Sequence, residues 1–75
     1  MPKQPRLTSR KLLKVLLKAG FFVHHQTGSH VSVRHHSKSH LRLTIPYHNR
    51  DLAPKTLKSI LIQAEMTVED LIRLL

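Results

Sequence analysis

Hydrophobic positions along this chain change their spacing several times, and each change marks an element. Leu12, Leu13, Leu16 and Leu17 repeat at i, i+1, i+4 and i+5, which predicts a helix with one apolar face. It begins near Arg10, with Thr8 or Ser9 as its cap, and Gly20 stands where a helix C-terminal glycine belongs. Phe21 to His25 is short and aromatic, as a strand is, and residues 26–29 carry turn chemistry around Gly28. Strict alternation follows. Val31 and Val33 face one way, and His30, Ser32, Arg34 and His36 the other. Ser37-Lys38-Ser39 reads as a hairpin loop, after which Leu41, Leu43 and Ile45 share a face opposite His40, Arg42 and Thr44. Pro46 ends this third strand, and Pro54 suits the first turn of another helix. Leu57, Ile60, Leu61 and Ala64 form that helix's stripe; Val68, Leu71, Ile72 and Leu75 form a last one, opened by Thr67 with Asp70 three residues on.

The order is helix, three strands, then one or two helices. That is an α+β arrangement, α-β-β-β-α(-α), with helices on one face of a three-stranded antiparallel sheet. Residues 1–7 contain Pro2 and Pro5 and no hydrophobic period, and are read as a flexible arm before a single domain over residues 8–75.

Composition narrows the function. The chain has 75 residues, with 13 Lys and Arg against four Asp and Glu, a net charge of +9. All the acids (Asp51, Glu65, Glu69 and Asp70) come after Arg50. So few carboxylates argue against two-metal nuclease or phosphatase chemistry and against a paired-carboxylate glycosidase. There is no cysteine, hence no disulfide or thiolate zinc site. No apolar run approaches the roughly 20 residues that span a bilayer, and the basic N-terminus lacks a secretory signal's apolar stretch. A soluble cytoplasmic protein with a polyanionic or acidic partner is expected, nucleic acid first. A chain this short hides only about 60% of its unfolded surface, so a second copy of itself is a further candidate partner.

Two basic surfaces are candidates for RNA. Arg10, Lys11, Lys14 and Lys18 fall on the side of the first helix opposite its leucines, where they are an ordinary wetted face, a phosphate-contacting one, or, least favoured because the leucines are needed to cover the sheet, one that lies on an anionic membrane. A Ser37–Ser39 loop sets Arg34 opposite Arg42, Ser32 opposite Thr44 and His36 opposite His40. Like charges directly across a ladder repel, so this face is either a solvated, edge-protecting one or a site that meets an anion. Few aromatics are present, which favours recognition through phosphate and shape over stacking. Among the seven histidines, His24-His25 and His35-His36 are strand neighbours. Each pair is therefore expected to point to opposite faces and not to chelate, and the reading includes no metal and no other cofactor.

Five segments in order carry a resemblance: Lys18-Ala19-Gly20-Phe21, Gly28-Ser29-His30, Ile45-Pro46-Tyr47-His48, residues 56–61, and Thr67-Val68-Glu69-Asp70-Leu71. Together they resemble the HicA family of toxins from about Thr8 to Leu75. The resemblance implies a double-stranded-RNA-binding-domain-like fold and an mRNA interferase: a small ribonuclease that stops translation until a HicB-type antitoxin covers it. It implies His30 as the catalytic histidine, with Gly28 and Ser29 shaping its turn. Val31 stands where many relatives have a second histidine, and Glu65-Met66 replaces a turn that usually contains glycine.

For such chemistry the substrate supplies its own nucleophile, the 2′-OH. A histidine is suited to removing its proton, and Lys or Arg to stabilising the charge that develops. Lys11, Lys14, Lys18, Arg34 and Arg42 are the RNA-binding candidates. Competing readings are a non-catalytic RNA-binding module using the same basic surface, and a domain that binds only acidic proteins.

Overall fold

The structure, a computed structural model, describes residues 3–75. Its elements are α1 (Ser9–Lys18), β1 (Phe21–Thr27), β2 (His30–His35), β3 (Arg42–Pro46), α2 (Pro54–Gln63) and α3 (Val68–Leu74). The strands form one antiparallel sheet in the order β1-β2-β3. The α+β order expected from the pattern is the order found. The N-terminal arm lies partly outside the described residues. Within them, Leu7 is buried in the core, and its carbonyl accepts the Leu52 N–H at 2.8 Å.

The first helix is capped by Thr8, whose hydroxyl accepts the Lys11 N–H. Ser9 does something else: it is fully buried, donates to the Pro46 carbonyl at 2.6 Å, and accepts the His48 N–H at 3.3 Å. One hydroxyl thus ties the start of α1 to the end of β3. The buried stripe of α1 is Leu12, Val15 and Leu16, spaced i, i+3, i+4, while Leu17 is 47% exposed. The expected four-leucine face is therefore rotated. A helix lying flat on a sheet buries a narrow arc, and Val15 is closer to its centre than Leu17.

Val31, Val33, Leu43 and Ile45 turn one face of the sheet toward the helices, where Leu57, Ile60 and Leu61 of α2 and Leu71 of α3 complete the core. Among the described residues the other face carries no helix, and apart from Pro46 its side chains are polar or aromatic. The second hairpin departs from expectation. Arg34 does pair with Arg42 and Ser32 with Thr44, but residues 36–41 all lie outside the strands, so His36 does not face His40. His40 meets Glu65 instead, at 3.1 Å. Leu41, expected on the strand, precedes it and is still buried.

Thr67 and Asp70 form a full capping box at α3, with both reciprocal hydrogen bonds at 3.0 Å. The Thr67 backbone N–H, then its hydroxyl, and the nearby Arg73 hold the Asp70 carboxyl below its usual range.

Candidate functional site

Two features of the open sheet face come from its register. The β1–β2 turn is only two residues, Gly28 and Ser29, with Gly28 at φ +57°. A hairpin this tight needs positive φ, and glycine supplies it without strain. Among the described residues nothing lies within 4 Å of where a Gly28 β-carbon would be, so backbone shape accounts for glycine there. β1 consequently runs through Thr27, two residues past its expected end, and His30 opens β2 opposite Thr27 and Pro46. The Tyr47 N–H donates to the Ser29 carbonyl at 2.6 Å, clamping the turn to the residue after β3. His30 itself is exposed and has no side-chain hydrogen bond among the described residues.

The second feature is a β-bulge. Val23 pairs with Val33, but Ser32 pairs with His25, leaving His24 as the extra residue. A bulge breaks strict alternation. Here it brings His24 and His25 to the same side, with their Nδ1 atoms 3.3 Å apart. The expectation that these neighbours point to opposite faces is thereby overturned; no third metal-binding side chain joins them among the described residues. They line a depression with Ser32, Arg34, Arg42 and Thr44. His24 is held below the ordinary histidine range, first by the positive charge of Arg34, then by desolvation, His25 and Arg42. Neither arginine has a carboxylate partner among the described residues, whose ion pairs are His40–Glu65 and Arg73–Asp70.

The RNA-binding candidates divide between two surfaces. Arg34 and Arg42 belong to the open face. Lys11, Lys14 and Lys18 are exposed on α1, behind the sheet, and line a groove with Arg6, Leu7 and Leu74, where Lys18 donates to the Leu74 carbonyl at 3.2 Å. Sequence reasoning also missed Phe22. It pairs with Arg34, so it shares the open face, and its ring lies 4.7 Å from that of His36 at 34°. The bulge hides this arrangement from a simple period-two reading.

The fold and this face define a small, basic α+β protein of the double-stranded-RNA-binding-domain type, with an exposed histidine at a tight turn. Comparison with known families is in accord. The sequence model of the family described as the HicA toxin of bacterial toxin-antitoxin systems matches residues 9–66, and the chain belongs to that family. No curated protein matches the sequence significantly. Membership makes it a toxin of a toxin–antitoxin pair. Among the described residues, no helix is long and apolar enough to cross a membrane.

Proposed function

We propose that this chain is an endoribonuclease that cleaves mRNA, with His30 as general base, and that a HicB-like antitoxin silences it by covering this surface. The observation that carries the reading is the placement of His30. It is the first residue after a glycine turn, exposed, unengaged by hydrogen bonds among the described residues, and held in position by backbone pairing to β3.

The chemistry follows from what RNA provides. The 2′-OH lies beside the scissile phosphate, so its attack has the proximity advantage of an intramolecular reaction. A neutral imidazole removes its proton. The pentacoordinate phosphorane then carries extra negative charge, which cationic side chains stabilise. The bond to the 5′ oxygen breaks as that oxygen takes up a proton, leaving a 2′,3′-cyclic phosphate on one product and a 5′-hydroxyl on the other.

Purified wild type and His30→Ala, each checked for folding by circular dichroism, are to be compared on a long RNA. Loss of the base should slow cleavage by about 10²–10⁴-fold. Cleavage at the wild-type rate by a folded His30→Ala would remove His30 from the mechanism. Wild type that binds RNA without cutting it would instead establish a non-catalytic binding module.

A further inference from the structure

We propose that the open sheet face grips single-stranded RNA beside the cleavage point, holding one phosphodiester between Arg34 and Arg42 and stacking the adjoining base on Phe22 and His36. The proposal rests on the reading of this chain as an RNA-cutting enzyme, and extends it to how substrate is held.

Two guanidiniums directly opposite each other repel, and no acid among the described residues relieves them. A phosphate does so, because its oxygens match the planar fork of each arginine. Between the arginines and the turn, the paired Ser32 and Thr44 add hydroxyl donors to the same depression. At the other end, the Phe22–His36 pair adjoins Arg34 and offers an apolar, aromatic surface. Aromatic rings beside cations are the means by which single strands are held without regard to sequence. A duplex cannot use such a platform, since its bases are already stacked and paired.

The histidine pair adds a proton to the event. Arg34 and Arg42, from β2 and β3, together with His25 on β1, oppose the charging of His24, and among the described residues no helix covers this face. An anion between the arginines cancels much of that opposition. Binding should therefore draw in a proton and tighten as the solution is acidified toward the ordinary histidine range.

Arg34 lies four residues along β2 from His30, roughly 13 Å at strand spacing. The grip thus falls on a neighbouring nucleotide and not on the scissile phosphate. Its loss should raise KM and leave kcat near its wild-type value.

The test uses a single-stranded 2′-O-methyl oligonucleotide, which has no nucleophile and so reports binding apart from cleavage. Arg34→Gln and Arg42→Gln should each weaken its binding about tenfold, and each should flatten the dependence of log K on log salt by about 0.7. Phe22→Leu should weaken binding about tenfold with no change in that slope. His30→Ala should bind as wild type does, so the catalytic reading and this one fail separately. Folding of each variant is checked by thermal melting, and Arg42→Lys, which keeps the charge and loses the fork, should fall between. Unchanged oligonucleotide affinity in folded Arg34→Gln/Arg42→Gln overturns the proposal. So does an equal preference for duplex, or a double variant that loses only its affinity for polyglutamate, which would make this face a protein-docking surface.

Discussion

His35 occupies the space that a side chain on residue 20 would need: a β-carbon on Gly20 would fall 2.7 Å from the imidazole Nε2. That nitrogen lies 3.0 Å from the Ala19 carbonyl, while Nδ1 accepts the N–H groups of Ser37 and Lys38, both at 3.1 Å. Nδ1 must then be unprotonated and Nε2 the donor, which assigns the tautomer. The ring also meets Phe21 edge-on at 4.9 Å. One imidazole thus joins the end of α1, the start of β1 and the irregular loop after β2.

Gly20→Ala should be severe for so small a change. It combines the clash with a backbone φ of +98°, a region costly to residues with a β-carbon. A loss of roughly 2 kcal/mol is expected, which would lower the melting midpoint by about 10 °C. Adding His35→Ala should remove the clash and leave the φ penalty, so the two changes should cost less together than their sum. Strict additivity in denaturant titrations would refute the coupling.

Ser9→Ala should cost roughly 1–3 kcal/mol, because it strands the Pro46 carbonyl and the His48 N–H. Since those groups lie at and just after the end of β3, beside the His30 turn, amide exchange at Tyr47 and His48 should quicken as well. A melting curve like that of wild type would show that water replaces the hydroxyl there.

Glu65 is the one non-glycine residue with positive φ among those described, at 57°, just past the C-terminal end of α2. Glu65→Gly should therefore stabilise the protein by about 1 kcal/mol. The exposed contact with His40 that it sacrifices contributes little. A lower midpoint for Glu65→Gly would mean that the contact outweighs backbone strain.

His24 should titrate below the usual histidine range, and Arg34→Gln should move it back up, as read from histidine ring signals in NMR titrations. The sign for stability follows. The unfolded chain takes up this proton at a higher pH than the folded one. The stabilising contribution is therefore present above the ordinary value and is lost as pH falls through the depressed one. A titration unmoved by Arg34→Gln would contradict the stated cause.

Cleavage should persist in excess chelator and cease on DNA or 2′-O-methyl RNA, because four acids in the whole chain provide little with which to hold catalytic Mg²⁺. Mass spectrometry of the products decides the matter: 2′,3′-cyclic ends are expected. A 5′-phosphate with a free 3′-hydroxyl would make water the nucleophile.

Local regularities were legible in the chain before any coordinates. Val31, Val33, Leu43 and Ile45 alternate, so their burial on one face follows from the two-residue period of a strand. Pro46, Pro54, Gly20 and the Thr67–Asp70 pair mark ends because their backbone preferences or side-chain reach act within a few residues. A turn around Gly28 was legible for the same reason, but over residues 26–29; strand pairing shortened it to Gly28 and Ser29. Long-range pairing decided the rest. The bulge at His24 depends on how β1 lies against β2, so no local period could reveal that two adjacent histidines share a face. Leu17 looked like Leu16 until the sheet selected which arc of α1 to bury. Five cations that belong together as a count were divided between opposite sides of the molecule, because net charge is a sum over the chain and carries no direction. Only the packing of α1 behind the sheet assigned each cation to its surface.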